Sequence, residues 1–410
     1  MREKVLITGL GCVSPFGCGV DKLWQGLVNA RSSISSIQRF DVSSYRTKIG
    51  AEIEDQSLSY KFGPQVNNFG RNTRFAIGAA SEALSDSGLL LDALSTSKAD
   101  IGICLGSGLG GIYYSEEAIT TLRDIGPRGI SPLTVPIVEP NSMVSQIAIK
   151  WQLTGPQFTI STACSSSAHA IGIAMDMIRS GRCSSVLTGG SEATMSPLVF
   201  AGFDRLRAMS NNNDTPTTAC RPFAKDRAGF VMAEGAAMLL LESETSVKNR
   251  NGKVYAELLG YGANGGAHHT VMPKRDGEDL ILSMKKALVD AKIDADQIDL
   301  ISPHGTGTKL NDQAEYLALK SIYGKRLRNV SVTPTKQLTG HPLGAAGAFE
   351  SIHIVKSIYE SVITPIALCD TDMDLDIAVG QPRQRSIGYA MNNSFGFGNN
   401  NVSLVFGAYT

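Results

Sequence analysis

The stretch Phe158-Thr159-Ile160-Ser161-Thr162-Ala163-Cys164-Ser165-Ser166-Ser167-Ala168-His169-Ala170 passes from an apolar, β-branched run into a run of small residues, with a cysteine at the change. That pattern predicts a strand that breaks at Cys164 and continues as a helix. A thiol at a helix N-terminus meets backbone N–H groups and the positive end of the helix dipole, and both favour the thiolate. Taken alone, Cys164 reads either as a nucleophile or as a small core residue. The rest of the chain has to separate the two.

Two later segments supply what a thiolate needs for carbon chemistry: Pro303-His304-Gly305-Thr306-Gly307-Thr308, and Lys336-Gln337-Leu338-Thr339-Gly340-His341-Pro342-Leu343-Gly344-Ala345-Ala346-Gly347. Ile298 to Ser302 is a short apolar run, so His304 falls where a strand ends, and the glycines after it let the backbone turn and leave the imidazole in a cleft. His341, between Gly340 and Pro342, reads the same way. Two histidines at glycine-marked strand ends together with a cysteine at a helix start form the constellation of a covalent acyl-transfer site.

Over nearly its whole length the chain resembles the beta-ketoacyl-acyl carrier protein synthases, the type II elongating condensing enzymes, a family that includes type II polyketide ketosynthases. The resemblance is carried by Ile7-Thr8-Gly9-Leu10-Gly11, Gly106-Ser107-Gly108-Leu109-Gly110-Gly111, Thr162-Ala163-Cys164-Ser165 and Gly189-Gly190-Ser191-Glu192-Ala193. It continues in His304-Gly305-Thr306-Gly307-Thr308, Thr335-Lys336 with Gly340-His341, and Asn393-Ser394-Phe395-Gly396-Phe397-Gly398. Gly106 to Gly111 alone could pass for a phosphate loop, but no Lys-Ser/Thr follows it and no dinucleotide fingerprint completes it.

The resemblance implies an α/β chain with the five-layered, thiolase-like fold built from two duplicated halves. It implies acylation of Cys164 by a carrier-bound acyl chain, decarboxylation of malonyl on its carrier, and joining of the two. The backbone N–H groups of Cys164 and Phe397 map onto the oxyanion hole. His304 and His341 map onto the neutral donors that stabilise the enolate, and Lys336 onto the lysine that keeps them uncharged, with Glu315 as its expected ionic partner. Leu109 and Phe203 match the acyl tunnel, and Phe397 its gate. Arg128, Arg205 and Arg207 lie where the family docks its acidic carrier protein. No cofactor and no metal are expected. The expected partners are an acyl carrier protein bearing acyl and malonyl groups, and a second chain: an identical one, or a chain-length factor.

Composition agrees with a compact enzyme. In 410 residues, 42% apolar content and 42 glycines allow a large core with many tight turns. Lysine plus arginine equals aspartate plus glutamate at 38 each, so no overall basic field favours nucleic acid or an anionic membrane. Seven cysteines, at Cys12, Cys18, Cys104, Cys164, Cys183, Cys220 and Cys369, form no CxxC pair, which argues for a reducing compartment and against zinc. The chain opens on the apolar run Val5 to Thr8 with no signal peptide, and no apolar run approaches the roughly 18 residues of a spanning helix. The expected location is cytoplasmic.

The order of patterns points to a duplication. Ala83-Leu84-Ser85-Asp86 precedes the strand Asp100 to Leu105, and Ala287-Leu288-Val289-Asp290 precedes Asp299 to Ser302, about two hundred residues later. The helix after Cys164, Ala168 to Ile178, has its echo in Gly344 to Ile358. The polar linker Val247 to Lys253 places the boundary, with 1–250 carrying the cysteine and 251–410 the histidines and lysine.

Two stretches depart from the fatty-acid pattern. Asn67-Asn68-Phe69-Gly70-Arg71 stands where elongating synthases commonly read Arg-Lys/Arg-Met-Asp, and Gly396-Phe397-Gly398-Asn399-Asn400-Asn401 where they read Gly-Phe-Gly-Gly-Thr-Asn. Both make a specialised polyketide or polyene synthase a competitor to fatty-acid elongation. A chain-length factor would lack Cys164. A thiolase would need a second late cysteine, and Cys369 stands in a polar loop context without the expected glycine.

Overall fold

A computed structural model describes residues 2–55, 69–89 and 100–409. Asn67 and Asn68 of the first departure lie outside the described residues.

Among the described residues, ten strands make the main sheet path. The earlier five are β1 (Val5–Ser14), β2 (Ile101–Gly106), β3 (Gln157–Ile160), β4 (Ser185–Glu192) and β5 (Gly235–Ser243), hydrogen-bonded in the order β3-β2-β4-β5-β1. The later five are β6 (Ala256–Gly265), β7 (Leu300–Ser302), β8 (Ser331–Val332), β9 (Tyr389–Gly396) and β10 (Asn400–Gly407), in the order β8-β7-β9-β10-β6. Numbered within each set, the order is the same. So is the sense: the first two pairings along each order are parallel and the last two antiparallel. β1 and β6 join the sets through the short antiparallel pairing of Val5–Ile7 with Ala256–Leu258.

Five helices complete the layers. α1 (Arg71–Ser87) covers β1 on one outer side, and α3 (Glu278–Ala291) covers β6 on the other, where α4 (Lys309–Tyr323) lies against it. Between the two sets lie α2 (Ser166–Arg179) and α5 (Ala346–Glu360), packed on each other. A central helix has no solvent face, which is why α5 is apolar nearly all round and buries even Glu350, His353 and Lys356.

The duplication extends to how helices meet strands. A Cβ on Gly9 or Gly11 of β1 would lie 2.2 and 1.9 Å from the carbonyl oxygens of Ala83 and Ala79 in α1. On Gly260 or Gly262 of β6 it would lie 2.4 and 2.2 Å from those of Ala287 and Ser283 in α3. In both places helix backbone rests directly on strand backbone, an approach only glycine permits.

Candidate active site

The strand, break and helix read around Cys164 are present: β3 ends at Ile160 and α2 begins at Ser166. Ala163 holds φ 54°, a left-handed value that is uncommon without glycine and concentrates at functional turns. Ser166 secures the turn, its backbone N–H and its hydroxyl both donating to the Ala163 carbonyl. α2 sits close because Gly106 has no side chain; a Cβ there would lie 2.3 Å from the backbone of Ser166 and Ser167.

Cys164 lies one residue before the N-cap of α2 and is only 7% exposed. The position at a helix start favours a thiolate. Instead burial pushes the thiol up to about 12, against the pull of Lys336 and of the backbone N–H groups of Phe397 and Cys164. The desolvation penalty on a buried anion exceeds what these donors return in the resting site. Both N–H groups favour the thiolate, so both act on the cysteine.

His304 and His341 stand beside each other, ring centroids 5.4 Å apart at 81°. His341 is held through its backbone, donating to Val231 at 2.7 Å and accepting from Ala233 at 3.0 Å. Phe230 packs edge-on against the His341 ring at 5.3 Å, and Phe395 against His304 at 5.8 Å. Burial, then the Lys336 charge, lowers both imidazoles well below their ordinary value. They are therefore neutral at pH 7, as expected. Nδ1 of each is buried with no hydrogen-bond partner among the described residues.

Lys336, 1% exposed, donates to the main-chain carbonyl of His304 at 2.6 Å. Its ionic partner is Glu350 of α5, not Glu315. Glu315 is otherwise engaged: its two oxygens accept the backbone N–H groups of His304 and Gly305, each at 2.8 Å. Burial pushes the Glu315 carboxyl up to about 8 despite those donors. Glu315 thus shapes the His304 turn, and Glu350 answers the lysine. The sequence carried one signal for Glu350, a lone carboxylate inside the apolar run Ala345 to Ile358. Phe230 carried none.

A cavity of about 550 Å³ connects these groups. Cys164, His304, His341, Phe203 and Phe397 all line it, and Phe203 stacks on Phe397 with centroids 6.1 Å apart. Arg207, Thr306, Thr308 and Lys309 line it too. Arg205 is exposed at the end of the helix Pro197–Arg205 that carries Phe203, and Arg128 is exposed on the turn Pro127–Gly129. Leu109 is not among the residues lining this cavity. Its backbone N–H donates to Glu192 and the residue is 36% exposed. Cys369 does not line it either, so no second thiol faces Cys164 there. Among the described residues no cluster of His, Cys, Asp or Glu is arranged to hold a metal ion.

The family profile described as Beta-ketoacyl synthase, N-terminal domain matches residues 2–246, and that described as Beta-ketoacyl synthase, C-terminal domain matches 255–370. A 3-oxoacyl-acyl-carrier-protein synthase 2 of Synechocystis sp. is 36% identical, covering 100% of this chain and 99% of the relative. A type II polyketide-synthase acyl-carrier protein in complex with its ketosynthase bound to the hexaketide, and the ishigamide ketosynthase/chain length factor, superpose with TM-scores of 0.91. They are 29% and 31% identical, and each covers 100% of both chains. With both halves matched and the sheet order duplicated around one cysteine-histidine cavity, the chain belongs to the beta-ketoacyl synthase family of condensing acyltransferases.

Proposed function

We propose that the chain extends a carrier-bound acyl group by two carbons, with Cys164 as nucleophile. The observation that carries this is the single cavity in which Cys164, His304, His341 and Phe397 meet. The Cys164 sulfur attacks the incoming thioester, the carrier thiol leaves, and the acyl group rests on the cysteine. Malonyl on a carrier then loses carbon dioxide. The electron pair of the broken C–C bond becomes an enolate, whose oxygen accepts hydrogen bonds from neutral His304 and His341. The enolate carbon attacks the acyl carbonyl and forms the C–C bond, the resulting oxyanion is held by the N–H groups of Cys164 and Phe397, and its collapse breaks the C–S bond and returns the Cys164 thiolate.

Lys336 holds the His304 turn and keeps both imidazoles uncharged, with Glu315 shaping that turn. Phe203 lines the acyl path and Phe397 closes it. Arg207 at the cavity, with Arg205 and Arg128 on the surface, supplies the basic face for an acidic carrier protein. Its chemistry suits a carrier, because arginine pairs bidentately with phosphate and carboxylate. We divide the chain at 250/251, the repeated strand order being the support.

We place the protein in the cytoplasm as a pair of chains. No helix of the described residues is long and apolar enough to cross a membrane. The helix Ile112–Ile125 buries none of its residues in a single chain, and Ile119, Ile125, Leu133, Val135 and the edge-strand residue Phe158 are exposed. A second copy on that face would cover them and bring Leu109 close to an acyl path. A specialised polyketide pathway with a chain-length-factor partner is the second reading, favoured by the two structural neighbours and by Asn399.

Intact-mass measurement with acyl-carriers of varied length, then malonyl-carrier, tests the proposal. The parent should gain one acyl group and a Cys164→Ala variant none. A variant that still elongates at a tenth of the parent rate, about 1.4 kcal/mol of barrier, would exclude Cys164 as nucleophile.

A further inference from the structure

Glu192 ends β4 fully buried and has no part in the chemistry above. Its carboxylate accepts four hydrogen bonds. Oε1 takes the Ser107 hydroxyl at 3.0 Å and the Leu109 N–H at 3.1 Å. Oε2 takes the Gly108 N–H at 2.6 Å and the Gly344 N–H at 3.1 Å. Three donors belong to the loop after β2, which lies behind Cys164: a Cβ on Gly108 would sit 3.4 Å from the Ala163 carbonyl oxygen. The fourth belongs to the turn that follows His341.

The crossing admits no side chain. A Cβ on Gly344 would lie 2.3 Å from the Gly108 nitrogen and 2.4 Å from Glu192 Oε2. Between His341 and Gly344, Leu343 holds φ 41°, a strained value that persists only where the surroundings impose it. Leu343 lines the cavity beside Cys164. A buried carboxylate is costly unless its charge is answered, and here the answer is four neutral donors drawn from two otherwise separate segments. Closing one loop would not need a charge; tying two together through one group does use it.

We infer that Glu192 is a positioning residue, whose carboxylate fixes the loop behind Cys164 to the turn carrying His341 and so sets the distance between nucleophile and imidazole. This rests on the roles just proposed for Cys164 and His341. Its negative charge is also felt at the thiol, where it opposes ionisation. Glu192→Gln keeps the shape, removes that charge and turns an accepting oxygen into a donor facing N–H groups. A residue serving only the fold would not move the reactivity of Cys164 in a charge-dependent direction.

The experiment follows carbon dioxide release from malonyl-carrier and the pH profile of Cys164 alkylation by iodoacetamide, both normalised to folded protein. Glu192→Gln should lower decarboxylation by about tenfold or more and move the alkylation profile to lower pH. A parent decarboxylation rate overturns the inference, and so does a lowered rate with an unmoved profile. If Glu192→Gln does not fold, Ser107→Ala decides, since it deletes one donor and keeps the charge. A fall in kcat with an unchanged KM for malonyl-carrier supports the inference; a parent kcat or a changed KM overturns it. Parent protein that releases no carbon dioxide would instead remove the proposed reaction, while alkylation of its Cys164 would still be readable.

Discussion

Lys336 reaches the main-chain carbonyl of His304 at 2.6 Å, so a buried ammonium is tied to the backbone of a residue whose ring it helps keep uncharged. Its other partner, Glu350, comes from the central helix α5. Replacing Lys336 by Met leaves Glu350 buried without a cation, which should destabilise the protein by about 3 kcal/mol. The double variant Lys336→Met/Glu350→Leu should recover most of that stability in urea unfolding and still fail to release carbon dioxide at the parent rate. Recovery of both would show that the lysine serves only the fold.

The two imidazoles set an acid limit. Both are held well below 6.5 when folded and return to about 6.5 when unfolded, so the unfolded chain binds more protons as pH falls. Their contribution is complete above about pH 6.5 and is lost as pH drops toward the folded values, at up to ~1.4 kcal/mol per pH unit for each ring. Glu192, pushed up to about 7, has the opposite slope, since it loses stability as pH rises through its folded value. The clean measurement is therefore a difference. The His304→Asn/His341→Asn variant should lose less stability than the parent between pH 7 and pH 5. Parallel curves would mean the rings are not neutral in the native state.

Asn399 holds a left-handed backbone, at φ 56°, and its side chain is fully engaged. Its Oδ1 accepts the backbone N–H groups of His268 and His269 at 3.1 and 2.9 Å, and its Nδ2 donates to the Met272 carbonyl at 3.1 Å. These bonds latch the Phe397 loop to the segment holding Val271 and Met272, which lines the cavity. Asn399→Gly should release that latch, broaden the range of acyl lengths accepted, and speed limited proteolysis within His268–Met272. An unchanged acyl-length profile would reduce Asn399 to a loop residue.

Pairing is read most directly in solution. Light scattering on the purified chain should give about twice the mass of one chain, and Phe158→Asp on the edge strand β3 should shift it toward one. A strictly single chain before substitution would favour an obligate partner of different sequence.

Local patterns in the sequence carried the strand, turn and helix around Cys164 and the glycine turns at His304 and His341. These are short-range matters of periodicity and backbone freedom. The duplication was legible for the same reason, as Ala83 to Leu105 and Ala287 to Ser302 repeat one helix-then-strand pattern. Only the tertiary structure decided who meets whom. The resemblance implied Glu315 as the partner of Lys336, yet the Glu315 oxygens are taken by backbone donors, and the lysine pairs with Glu350 instead. The helix start at Cys164 argued for a thiolate, but burial of the thiol opposes its charge, and no local pattern contains that burial. Leu109 stays off the cavity wall, its backbone N–H donating to Glu192. Conformational preference is written along the chain, whereas burial and the allocation of charged partners depend on residues from separate elements arriving at one point, 14 positions apart for Lys336 and Glu350 and 152 for Glu192 and Gly344.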